Sequence, residues 1–136
     1  MDTEGNEVVT KLRETISVSM AKVLSFFTRD RDELMKQPMF TPFKVIDGVF
    51  VGGIVMVKDT DWEMHPSGDE TLTLLSGRID IVFLEGDREV TSSLHPSQSC
   101  IVPKGVWHRQ VVLAESKLLF QTYGTDTQHR KYQPQA

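Results

Sequence analysis

The sequence predicts an all-β domain, a barrel or sandwich of short strands, with a helical extension at its N-terminus. Three observations carry this. From Phe40 to Tyr123 short β-rich runs recur at nearly even spacing, separated by glycine- and proline-bearing turns, the pattern of a barrel or sandwich. Before them Val9, Leu12, Ile16, Met20, Val23 and Phe27 recur every three or four residues, which is one face of a 3.6-residue period. A length of 136 residues bounds one domain, able to bury about two-thirds of its unfolded surface without staples.

The helical period covers residues 6 to 37. Asn6 can cap its start. Asp30, with Glu33 three residues on, has capping-box spacing with Asp in place of Ser or Thr, and opens a second short helix. Pro38 ends it by restraining Gln37 away from helical angles. Val8, Val18, Leu24 and Phe26 lie off the main stripe. The first helix is thus apolar on more than one side, and is expected to pack on the domain behind it and on a second subunit, giving a homodimer. A membrane surface fits less well, because Lys11, Arg13 and Lys22 are balanced by acids and form no basic face.

The strand zone opens with Val49 to Val57, broken by Gly52-Gly53, where a bulge or a bend at a barrel corner is expected. Thr71 to Leu75, Arg78 to Leu84, Glu89 to Leu94, Cys100 to Val102, Trp107 to Leu113 and Leu118 to Tyr123 follow. Ser76-Gly77, Glu85-Gly86-Asp87, Pro96-Ser97 and Pro103-Lys104-Gly105 supply the turns between them. After Gly124 the chain is polar and is expected to be loosely ordered. The chain therefore divides into a helical extension over 1–38, a barrel over 39–124 and a polar tail over 125–136.

Composition excludes several classes. A net charge of −4 with scattered basic residues argues against nucleic-acid binding through a general basic field. One cysteine cannot build an intramolecular disulfide framework, and Cys100 in Ser99-Cys100-Ile101-Val102 reads as a buried, inert thiol. No apolar run approaches the ~18 residues of a membrane span. The N-terminus carries Asp2, Glu4 and Glu7 and no basic region of a secretory signal. The expected setting is cytoplasmic, with no membrane and no nucleic acid as partner.

The residues that could carry chemistry cluster in two places. His65 lies in Trp62-Glu63-Met64-His65-Pro66-Ser67-Gly68-Asp69-Glu70. Alternation puts Glu63 and His65 on one face of a strand, and Glu70 follows a tight turn. His108 ends Pro103-Lys104-Gly105-Val106-Trp107-His108 and begins another strand. Imidazoles and carboxylates gathered on a barrel's inner face suit a divalent first-row metal. A dication also satisfies an inward glutamate that would otherwise need a proton or a partner. The plainer reading has His65 and His108 as satisfied barrel histidines and Glu70 paired with an inward Arg or Lys.

Together these segments resemble the two motifs of the cupin superfamily. His65, four residues, Glu70, six residues and Gly77 match the first motif, with Thr60 in place of its leading glycine and Glu63 in its first histidine position. Pro103, Gly105 and His108 match the second, with Ser97 in place of its leading glycine and Val112 in place of its asparagine. The resemblance covers roughly residues 40 to 123. It implies a cupin jelly-roll barrel of six to eight strands with one divalent transition metal inside, held by His65, Glu70 and His108. Glu63 could be a fourth ligand, a group bonded to a metal-bound water, or the mark of a member that has lost its metal. Carboxylate ligands turn preference toward iron, manganese, zinc or nickel.

The function the resemblance implies is a metal-dependent enzyme of dioxygenase or isomerase type, acting on a small organic molecule. Glu63, if it is not a ligand, is the candidate general base. A non-catalytic binding or sensing module, its N-terminal helices contacting a partner, is the alternative, and a metal-free structural barrel a third. Gln110 shares the parity of His108 and is expected to face a bound ligand, in a pocket whose apolar lining is Leu72, Leu74 and Val112. Trp62, Trp107 and Arg109 have the opposite parity. His95 reads as a surface turn residue, and His129 as surface unless the tail folds over the barrel mouth.

Overall fold

The computed structural model describes residues 20–44 and 48–134. The expected helix start at Asn6, the stripe residues Val9, Leu12 and Ile16, and the off-stripe Val8 and Val18 lie outside the described residues. Within them, α1 is helical at residues 20–27 and α2 spans Arg31–Lys36. Asp30 caps α2, its carboxylate accepting from the Asp32 N–H at 3.4 Å. Acids in the first turn and Lys36 in the last complement the helix dipole. Glu33 turns to Arg29 at 3.3 Å. Pro38 follows the C-cap residue Gln37.

Eight strands follow: β1 (Met39–Lys44), β2 (Val49–Met56), β3 (Trp62–Met64), β4 (Glu70–Glu85), β5 (Arg88–Leu94), β6 (Ser99–Val102), β7 (His108–Tyr123) and β8 (Gln128–Arg130). They form one sheet in the order β1-β2-β7-β3-β8, with β4 paired to β5, β6 and β7. The first half of β4 lies between β6 and the end of β7, and its second half between β5 and the start of β7. This is a jelly-roll arrangement, but the hydrogen-bonded ladder of the described strands does not close into a barrel.

Two expected breaks between strands, one of them the Ser76-Gly77 turn, prove to lie within continuous strands. Thr71 to Leu75 and Arg78 to Leu84 are halves of the single 16-residue strand β4. Trp107 to Leu113 and Leu118 to Tyr123 are, but for Trp107, halves of the 16-residue β7. Between Leu74 and Ile79 the β4–β7 register shifts. Gly77 sits there at φ +95°, and a Cβ on it would lie 2.3 Å from Ser116 Oγ. The Ser116 hydroxyl accepts from the Arg78 N–H at 3.0 Å and donates to the Ala114 carbonyl at 2.7 Å. A side chain thus bonds backbone groups at a place where the ladder is irregular.

Gly52-Gly53 makes no bulge against β7, since the β2–β7 ladder runs evenly from Val49↔Tyr123 to Met56↔Ser116. Against β1 the register does shift, between Phe40↔Gly53 and Phe43↔Val51, so the expected irregularity falls on that side of β2. The pair also serves close approach. The Phe27 ring occupies the space a Gly53 Cβ would take, at 2.6 Å. Val23, Phe26 and Phe27 of α1, with Leu34 of α2, bury themselves against Val55 in a small core of their own. The main core lies on the other face of the sheet, around Leu72, Leu74, Ile79, Ile81, Val102 and Leu118. Cys100 packs at its margin, and burial, with the Glu70 charge, pushes its thiol up, away from the reactive thiolate.

The polar tail also departs from expectation. It turns back at Asp126 and adds β8 to β3, pairing His129 with Glu63. No helix among the described residues is long and apolar enough to cross a membrane.

Candidate metal centre

Glu63 lies in β3, His65 directly after it, Glu70 opens β4 and His108 opens β7. The β4–β7 ladder puts Glu70 beside the far end of β7, next to Thr122. His108 lies at that strand's other end, roughly 45 Å away were the strand straight. Yet His108 Nε2 is 3.1 Å from Glu70 Oε1. The bend at Gly77 and Ser116 folds the sheet over, so that the two strand starts face one another. The two motif loops also tie together: the Gly105 N–H donates to the His65 carbonyl and the Lys104 N–H to Asp69 Oδ1, each at 2.9 Å.

The four side chains converge. One ligand atom from each of Glu63, His65, Glu70 and His108 lies within 4.8 Å of the others. His65 Nε2 is 2.8 Å from Glu63 Oε1 and 3.4 Å from Glu70 Oε2. The Thr122 hydroxyl donates to Glu70 Oε2. His65, Glu70 and His108 are buried, while Glu63 is half-buried on the open side.

The donor set fits a dication. His108 Nδ1 lies 3.2 Å from the Val106 carbonyl, which can only accept, so Nδ1 carries a hydrogen and Nε2 is the atom turned toward Glu70. His65 Nε2 is buried and makes no well-directed hydrogen bond, despite the two carboxylates beside it. Neutral imidazoles held this way aim lone pairs at carboxylate lone pairs, which repel unless a proton or a cation lies between them. Without a metal, protons do this work. Burial opposes a charge on His65, but the adjacent carboxylates of Glu63 and Glu70 raise it to about 9. Burial likewise opposes ionisation of Glu70, but His108, His65 and Thr122 lower it to about 2. Glu63 is lowered too, its burial outweighed by His65. A divalent ion displacing the His65 proton would meet two carboxylates and two imidazoles, a set that suits first-row metals.

The cluster opens into a cavity of about 410 Å³. Leu72 and Gln110 line it, with Ile54, Met56 and Phe120 as further apolar wall. Gln110 is fixed by Thr60, whose hydroxyl donates to Gln110 Oε1 at 2.8 Å. Leu74 and Val112 do not reach this wall. Leu74 is fully buried in the main core, and Val112 packs against the same core. Both lie close to the bend, where the folded-over halves of the sheet fill the space with each other's side chains.

Sequence reasoning did not single out Thr122 or Thr127, and gave Thr60, at the leading position of the first motif, no role. Thr122 shares the even-numbered parity of His108 and Gln110 on β7, and a hydroxyl at such a position was the available signal. Thr127 bonds His65 Nδ1 at 2.9 Å, and His129 Nε2 lies 3.0 Å from Glu63 Oε2. The tail is thus folded over the mouth. Outside the cavity Trp62 packs edge-on to Tyr132 at 6.3 Å, and the Arg109 guanidinium lies 3.5 Å from the Tyr132 ring centre. Arg130 lies over Trp107 at 4.3 Å.

No family model and no curated protein sequence matches the chain. Solved structures do match. A cupin-2 domain protein from Shewanella frigidimarina aligns with 75% of this chain and 94% of its own, at 16% identity and a TM-score of 0.52. The chain has the cupin fold. Two enzymes share this cupin architecture. One is a hydroquinone 1,2-dioxygenase in complex with Cd2+ and 4-hydroxybenzonitrile, at 18% identity and a TM-score of 0.51 over 60% of this chain. The other is an oxalate oxidase in complex with glycolate, at 13% identity and a TM-score of 0.53, also over 60% of this chain. The alignment spans 61% of the dioxygenase chain and 46% of the oxidase chain.

Proposed function

We propose that this cupin is a metal-dependent enzyme of dioxygenase or isomerase type, acting on a small, partly apolar organic molecule. The observation that carries the reading is the convergence of Glu63, His65, Glu70 and His108 at one side of a cavity of about 410 Å³. An iron, manganese, zinc or nickel ion held there would supply Lewis acidity or, where the ion changes valence, redox chemistry. The buried His65, Glu70 and His108 hold the ion. Glu63 closes the set on the cavity side. Where Glu63 does not bind the ion it is, half-exposed and held ionised by His65, the group placed to take a proton from a bound substrate. Gln110, pinned by Thr60, offers its amide to a polar group of that substrate.

Among the described residues no Lys or Arg lines the cavity. In that lining a multiply charged anion would find no permanent cation except the metal. The apolar wall favours a neutral compound or one with a single anionic group. The dioxygenase and oxidase of the same fold support enzymatic chemistry. The proposal includes pairing of two copies, supported by Leu24 of α1 and Met39 of β1, which stay exposed at 50% and 54%.

Elemental analysis of untagged protein prepared without chelators, beside His108→Ala, tests the reading. About one equivalent of a first-row metal per chain, lost in the variant, is expected. Absence of metal, with reconstitution also failing, would overturn it. Light scattering of the same samples reads the pairing.

A further inference from the structure

We infer that the C-terminal strand β8 and the turn before it are a working part of the metal centre, with Thr127 and His129 as positioning residues for two of the four ligands. This rests on the reading of the cluster as a metal site. It adds a segment that none of the motif residues belongs to.

Thr127 sets the His65 ring. Its hydroxyl hydrogen is directed at the Gly124 carbonyl, at 3.1 Å. Its oxygen is left to accept from His65 Nδ1–H at 2.9 Å. With Nδ1 committed outward, Nε2 is the nitrogen turned to the centre. His129 acts on the other side of the cluster. Its Nε2–H donates to Glu63 Oε2 at 3.0 Å, which holds the carboxylate with Oε1 toward His65, 2.8 Å away. Neither residue belongs to the convergent set. Each fixes the direction in which a ligand points, and such outer partners typically change metal affinity by about 10- to 100-fold.

A three-residue exposed strand is too short to hold itself in place by pairing alone. This one has anchors on both sides. Before it, Ser67 Oγ donates to the Thr125 carbonyl at 2.7 Å. After it, the Tyr132 N–H donates to Asp61 Oδ1 at 3.0 Å, and the Tyr132 ring sits against Trp62 and Arg109. Tyr132 touches none of the four ligands, yet it fixes the segment that positions two of them.

The test uses full-length, metal-free protein with Co2+ as the probe, read by visible absorption and by competition with a chelator. Thr127→Val is expected to weaken Co2+ binding by about 10- to 100-fold, and Thr127→Ser to restore it. His129→Ala should shift the Co2+ absorption band by freeing Glu63. Tyr132→Ala should weaken binding although it alters no ligand, and it carries the test if Thr127→Val fails to fold. Wild-type affinity and an unchanged band in both Thr127→Val and Tyr132→Ala would overturn the inference while leaving the metal centre standing. A wild-type protein that takes up no Co2+ would overturn both.

Discussion

Glu70 Oε1 and His108 Nε2 lie 3.1 Å apart, although the ladder that joins their strands places the two residues at opposite ends. Both are buried. Among the described residues the Thr122 hydroxyl also bonds the Glu70 side chain. A buried carboxylate held by imidazoles is coupled to their protons: Glu70 raises His65, while His108 and His65 lower Glu70. Its stability and its affinity for a cation must therefore depend on pH.

The metal-free protein should be most stable in mildly acidic solution. Glu70 falls from 4.5 to about 2 on folding. Its contribution is present above 4.5 and is lost as pH falls through about 2. His65 rises from 6.5 to about 9. Its contribution is complete below 6.5 and is lost as pH rises through about 9. Melting temperatures in chelator should fall on both sides of the window between 4.5 and 6.5. Metal affinity should move the other way, rising with pH until the His65 proton is gone. A flat melting temperature between pH 6 and 9 would contradict the assignment.

Glu70→Gln keeps the volume and removes the charge. It should abolish stoichiometric metal uptake, because His65 and His108 lose the carboxylate between them. In the metal-free state the cost is on the order of 1–3 kcal/mol, that of leaving buried polar partners poorly matched. His65 should then titrate well below 9, Glu63 being its one remaining acid. Urea unfolding with chelator gives the first quantity, and histidine NMR titration the second.

The four cluster residues were legible because the motifs that carry them are local in sequence, although the bend that brings Glu70 to His108 is not. Tight turns at Pro66-Ser67-Gly68-Asp69 and Pro103-Lys104-Gly105 set their directions within a few residues. The length of β4 and β7 was not legible, since Ser76-Gly77 has the composition of a turn. The Ser116 hydroxyl, 38 residues from Arg78 in sequence, bonds the backbone where the strand bends. Parity put Leu74 and Val112 inward, but parity cannot tell a cavity wall from a packed core. Thr127 and His129 were hidden for a related reason. β8 is three exposed polar residues, and its pairing with β3 is tertiary, held by Tyr132 on Arg109.

Gly53→Ala separates stability from the site. The new methyl would meet the buried Phe27 ring at 2.6 Å and Val23 at 3.3 Å. Overpacking of this kind costs about 1–3 kcal/mol, read as a shift in the urea midpoint. The contact lies between α1 and the outer face of β2, on the side of the sheet away from the cluster. Metal affinity should therefore be unchanged. Phe27→Leu in the same chain should recover part of the loss.

Gly77→Ala should behave differently. At φ +95°, with a Cβ 2.3 Å from Ser116 Oγ and 2.4 Å from the Glu115 carbonyl, the substitution is both strained and crowded, at a cost of roughly 2–5 kcal/mol. Relief requires β4 and β7 to move apart at the bend that brings Glu70 to His108. The cluster lies at the far ends of these half-strands, so a small change of bend angle displaces the ligands by more than it displaces the bend. The variant should lose metal affinity as well as stability, although Gly77 touches no ligand. Comparison with Gly53→Ala makes the test sharp. If the two variants lose similar stability and both keep full affinity, the bend does not set the geometry of the centre.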